Sequence, residues 1–172
     1  IPLQTRSDWA WVPGIGWSKD SSILYSTTHS SSAGLTSDET SPYFDLTAIN
    51  LDESLPITLV QQAGMFSYPS PSPRMPLNQY RLAFLQAVFP EQSENSRYRL
   101  IFMDRDGSNQ TQIFPPEGQP GIEPQTVLWQ PGNNESSWIS FIYQGNLWLV
   151  NPLSSQALQI TGDGSIVRLD WK

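Results

Sequence analysis

VLWQPGNNESSWISFIYQGNLWLVNPLSSQALQITGDG, residues 127–164, is the stretch whose reading decides the fold. An apolar piece ends at Trp129 and runs into Pro131-Gly132-Asn133, and the run Trp138-Ile139-Ser140-Phe141-Ile142-Tyr143 follows. Gln144-Gly145-Asn146 turns the chain into Leu147-Trp148-Leu149-Val150-Asn151. Asn151-Pro152 with Ser154-Ser155 turns it again into Ala157-Leu158-Gln159-Ile160-Thr161. Gly and Asn accept positive φ at little cost and Pro presets φ, so each junction has a mechanism for reversal. Short runs rich in aromatic and β-branched residues between such junctions read as strands. The expectation is a four-stranded antiparallel meander.

The same grammar recurs upstream. Strands are expected over residues 12–17, 23–30, 43–51 and 57–62, separated by polar turns and by a Ser, Thr and acid rich loop at 31–42. In residues 43–51, Phe44, Leu46 and Ala48 fall on one face while Tyr43, Asp45 and Thr47 fall on the other. A second unit opens at Met65-Phe66-Ser67-Tyr68 and continues through 80–89, 98–104 and 110–114. Pro69, Pro71 and Pro73 lack a ladder donor, and no regular structure is expected through them. Residues 165–172, SIVRLDWK, read as the first strand of a fourth unit. No stretch carries a 3.6-residue apolar stripe with helix caps, so helix is expected to be nearly absent.

These units read as one repeat, with blades over 12–64, 65–125 and 126–164 and a start or closure of another at 165–172. Trp17, Tyr68, Trp129 and Trp171 mark equivalent positions at spacings of 51, 61 and 42 residues. Periods of ~40–50 residues with four strands each are the signature of a propeller blade. The fold class expected is therefore all-β, β-propeller-like, as about three four-stranded antiparallel meander blades. Trp17, Trp129 and Trp171 are assigned to core packing; Trp9, Trp11, Trp138 and Trp148 are less constrained.

Trp17-Ser18-Lys19-Asp20-Ser21-Ser22-Ile23-Leu24-Tyr25 resembles the Trp-Ser-Pro-Asp-Gly-x-x-Ile-x-Phe signature of TolB-like repeats, a pattern related to WD-type propellers. Leu147 to Asn151 is similar to the family's third strand, Leu158-Gln159-Ile160-Thr161 to its closing strand, and residues 99–109 to its Met-Asp-x-Asp-Gly-Ser turn. Pro-Asp-Gly itself is replaced by Lys19-Asp20-Ser21, Pro69-Ser70-Pro71 and Pro131-Gly132-Asn133. The resemblance implies a non-catalytic protein-binding module of the bacterial cell envelope, periplasmic or at the cell surface. Two alternatives stand beside it: the gating propeller of a prolyl-oligopeptidase-type hydrolase, and a carbohydrate-binding propeller. Propellers of this kind have six or seven blades, so either the ring continues in further chain or two copies pair as three plus three in a C2 dimer.

Composition narrows the partners. Nine Lys and Arg against sixteen Asp and Glu give a net charge of −7, and the cations are scattered, which argues against nucleic acid. There is no Cys, so thiolate and disulfide chemistry are excluded. No apolar run approaches the ~20 residues of a helical membrane span. The chain begins Ile1-Pro2 rather than with Met, which suggests a mature form or an excised piece.

No recognisable catalytic, cofactor-binding or metal-ligating set is found, and ligand-binding residues stay unassigned. His29 is the one histidine and would have to be the base of any Ser–His–Asp arrangement, yet no Gly-x-Ser-x-Gly elbow exists. Asp104-x-Asp106-Gly107 opens like a calcium loop, but Asn109 and Pro115 stand where glycine and glutamate are needed, which favours a hairpin turn. Asp38 and Glu39 read as a solvated pair, and Asn109 and Asn134 begin glycosylation sequons. Propeller topology puts the loops at 30–42, 89–97 and 115–124 on one face and those at 18–22, 51–56 and 69–79 on the other. Long loops on a rigid scaffold favour the first face for binding.

Overall fold

The computed structural model describes residues 14–30, 41–53, 55–73, 80–132 and 138–171. Twelve strands follow in chain order among them, and the one helical segment there is a 3-10 turn at Pro90–Gln92. Blade 1 contains β1 (Ile15–Trp17), β2 (Ile23–His29), β3 (Phe44–Asn50) and β4 (Pro56–Val60), paired in that order. Blade 2 repeats the pattern with β5 (Ser70–Pro71), β6 (Arg81–Ala87), β7 (Tyr98–Asp104) and β8 (Thr111–Phe114). Blade 3 has β9 (Leu128–Trp129), β10 (Ile139–Tyr143), β11 (Asn146–Val150) and β12 (Ala157–Gln159). The chain is all-β, with three antiparallel meanders. In blade 3, Gln144 and Gly145 take φ of 51° and 71°, and Tyr143 pairs with Asn146 across them. Two consecutive positive φ values match the right-handed twist of a hairpin.

The first strands of successive blades lie side by side. A side chain on Gly16 of β1 would stand 2.4 Å from the Pro69 carbonyl oxygen, so only glycine permits that approach. The Ser70 hydroxyl donates to the Val127 carbonyl at 3.0 Å, and the Trp129 indole N–H donates to the Ser70 carbonyl at 2.8 Å. Blade therefore follows blade around a common axis.

Alternation along β6 builds the two cores. Leu82 and Phe84 point toward blade 1 and, with Ile101 and Met103, pack on Tyr25, Leu46, Ala48 and Val60. Ala83, Leu85 and Ala87 point the other way and join Leu100, Phe102 and Phe114 against Ile139, Phe141, Tyr143 and Val150. Phe114 sits 4.6 Å from Phe141 and meets Tyr143 edge-on at 5.0 Å, separations at which ring quadrupoles attract. Burial between sheets, at ~25 cal/mol per Å² of apolar area, is the main force holding the blades together.

Four expectations need correction. Pro71 lies inside β5, which tolerates it because a first strand pairs on one side only: Ser70 with Ala83 and Pro71 with Leu82. The counterpart of Trp17 and Trp129 is then Pro71, the last residue of its inner strand, and not Tyr68, which precedes β5 with φ of 39°. Trp17 is 53% exposed rather than core, whereas Trp129 lies against blade 2 and Phe102. Residues 165–171 carry no strand; Ile166 donates its N–H to the Gly145 carbonyl at 2.8 Å.

Candidate functional site

The connector between blades 2 and 3, residues 115–127, is an irregular segment pinned on both sides. Tyr98 and Ile122 exchange two backbone hydrogen bonds, at 2.9 and 2.7 Å. The Gln125 amide acts as a surrogate strand edge, donating to the Ile142 carbonyl at 2.6 Å and accepting its N–H at 2.7 Å. Tyr143 donates its hydroxyl to the Pro120 carbonyl at 2.9 Å, and Gln112 donates to that of Pro115 at 2.6 Å. Arg97 pairs with Glu123, an exposed ion pair of small net energy. At Gly121 a Cβ would stand 2.7 Å from that of Arg97, so the close crossing needs glycine.

The loop at 88–97 rises beside the connector and is held from below. Tyr98 is fully buried; its hydroxyl donates to the Ser93 carbonyl at 2.7 Å and accepts the Phe66 N–H at 3.2 Å. Burial pushes its phenol up to about 12. Ser96 accepts the Phe89 N–H at 3.0 Å, while the Phe89 side chain is 58% exposed. Connector and loop enclose a groove of about 720 Å³ whose walls include Phe89, Arg97, Arg99, Ile113, Pro116 and Gly121. A recess of about 450 Å³ lies along the connector's other side, against Gln125, Ile142 and Ile166. Arg99, the exposed Phe89 and the prolines line the groove, while Arg97 is engaged by Glu123.

Residues singled out for chemistry take structural positions. His29 ends β2 with its ring 4.4 Å from Phe44. Asp104 accepts from Arg81 and, at 2.8 Å, from Asn109, and Asp106 accepts the Ser108 N–H and hydroxyl at 3.0 and 2.6 Å. The Asp104–Asn109 segment is thus a self-bonded hairpin turn. No group of three or more potential metal ligands occurs among the described residues. Trp148 packs on Phe114 at 5.4 Å, and Trp138 is half-buried before β10. Trp9, Trp11, Asp38, Glu39 and Asn134 lie outside the described residues. Among those described, no helix is long and apolar enough to cross a membrane.

Comparison with known proteins yields one kind of likeness. No family model matches the sequence, and no curated protein does. A β-propeller chain in the crystal structure of a nidogen/laminin complex superposes with a TM-score of 0.53 at 12% identity. The match covers 90% of this chain and 49% of that one, so the chain spans about half the length of its structural neighbour. Similarity at this level establishes the fold as propeller-like and nothing narrower.

Proposed function

We propose that the chain is a non-catalytic, TolB-like propeller module of the bacterial cell envelope that holds a protein partner along the connector groove. The observation that carries this reading is the groove's wall, an irregular segment pinned by side-chain and backbone hydrogen bonds from both flanking blades. Pre-ordered walls reduce the entropy lost on binding. Membership of the structural neighbour in a protein complex supports a protein partner. The Ser18-Lys19-Asp20 turn that carries the family resemblance also has a structural role, since Asp20 closes it by accepting from Ser18 and Ser22. A ring closed by two copies, three blades plus three, is the second part of the proposal, tested by whether light scattering gives twice the 19.3 kDa of one chain.

Site-directed photo-crosslinking in the envelope fraction tests it. A crosslinker at Phe89 is expected to capture a discrete protein, while one at Leu55, at the other end of the blades, captures none. Capture from position 55 alone, or equal capture from both, would overturn the assignment.

A further inference from the structure

The opposite end of the blades holds a second concavity that the connector groove does not use. It is a bowl of about 690 Å³, within the ~300–1,000 Å³ typical of small-molecule sites. Each blade supplies residues from its first strand or the segment leading into its second: Lys19 and Asp20 from blade 1, Pro71 and Tyr80 from blade 2, Trp129 and Gln130 from blade 3. These residues are far apart in sequence and meet only because the first strands lie side by side.

From this convergence we propose that the bowl binds a saccharide, with one pyranose ring stacked on Trp129 and its hydroxyls held by Asp20, Lys19 and Gln130. The indole is oriented in advance. Its N–H is committed to the Ser70 carbonyl at 2.8 Å and its ring is backed by Phe102 at 6.2 Å, while the residue stays half-exposed on the bowl. An aromatic surface whose polar handle is already satisfied offers π density to the C–H face of a sugar. Ser18 and Ser22 both donate to Oδ1 of Asp20, at 2.6 and 2.7 Å, and the Ser22 N–H adds a third bond to the same atom at 3.1 Å. Oδ2 receives none of these and faces the task of accepting from a ligand. In Gln130, Oε1 accepts the Trp138 N–H at 3.3 Å, which leaves the NH₂ end to donate. Acceptor, ammonium and amide together match hydroxyl groups, which both donate and accept. A proline-rich peptide is the competing occupant, but polyproline recognition uses several exposed aromatic ridges. Here Tyr80 is buried, and of the two aromatics lining the bowl among the described residues only Trp129 presents a half-exposed ring.

The test is isothermal titration of the whole chain with chitotriose, maltotriose and cellotriose, backed by Trp fluorescence. At least one trisaccharide is expected to bind saturably at up to millimolar concentration. Trp129→Phe should weaken it about fivefold. Lys19→Ala, an exposed substitution outside the packed core, should weaken it about threefold. Near-ultraviolet circular dichroism confirms that each variant is folded. Absence of binding by all three sugars overturns the proposal, as does binding that both variants leave unchanged. A proline-rich decapeptide that binds where no sugar does overturns it in favour of the peptide.

Discussion

Removing one oxygen atom, in Tyr98→Phe, probes the junction on which the groove rests. The ring keeps its packing, while the hydroxyl's bonds to the Ser93 carbonyl and the Phe66 N–H vanish. Each bond contributes about 1 kcal/mol net, and leaving the buried Ser93 carbonyl without this donor adds to the loss, for a total of about 2–3 kcal/mol. In a chain of this size that corresponds to a fall in Tm of roughly 5–10 °C. Tyr143→Phe is the internal comparison: its hydroxyl makes a single bond, to the Pro120 carbonyl at 2.9 Å, so about 1 kcal/mol is expected. Urea unfolding at constant m-value measures both. Equal losses for the two variants, or a Tyr98→Phe loss below about 0.5 kcal/mol, would refute the claim that this hydroxyl ties loop to core.

Other consequences follow from the same packing. Phe84→Ala empties a fully buried position between blades 1 and 2 and should cost about 3–5 kcal/mol, whereas Ile57→Ala, at an exposed strand position, should cost less than about 0.5 kcal/mol in the same unfolding assay. Gly16→Ala forces a methyl to within 2.4 Å of the Pro69 carbonyl oxygen, so blades 1 and 2 must separate locally; about 1–3 kcal/mol of destabilisation by calorimetry is expected. Burial raises the phenols of Tyr25 and Tyr98 to about 12 from 10.0. The folded state then keeps protons that the unfolded state releases, so this contribution is complete below pH 10 and is lost as pH rises from 10 to 12. A phenolate absorbance titration should show Tyr25 and Tyr98 ionising only as the fold is lost, with Tyr68 raised in the same direction by its own burial. Ionisation of Tyr25 and Tyr98 near pH 10 in a chain with native circular dichroism would contradict it.

The strands were legible because their residues alternate and their turns have chemistry. Gln144-Gly145 and Asp106-Gly107 reverse the chain where expected, and the apolar face of Phe44, Leu46 and Ala48 is buried in the structure. First strands were less legible. β5 is two residues, Ser70–Pro71, held by one neighbouring strand and by blade 3, so it leaves no hydrophobic period to read. Aromatic residues mark this position in the other two blades, whereas the backbone assigns it in blade 2 to Pro71 and leaves Tyr68 ahead of the strand. The connector groove was half legible: its loops could be placed on one face by topology, but the pinning by Gln125 and Tyr143 joins residues with no shared motif. The bowl at the other end was invisible for the same reason, since Lys19, Tyr80 and Trp129 converge only in three dimensions.

The middle blade also bears on how such a chain can change over generations. In β6, Leu82, Ala83, Phe84 and Leu85 are all buried, and successive positions answer to opposite neighbours. A substitution at any of them is screened by blade 1 or by blade 3. On β10, only Ile139, Phe141 and Tyr143 answer to blade 2, so Ile142 between them is under looser scrutiny. Drift is therefore uneven along the repeats, and an ancestral blade motif should erode at different positions in each copy. That unevenness is one physical reason why three copies of one architecture share so little sequence.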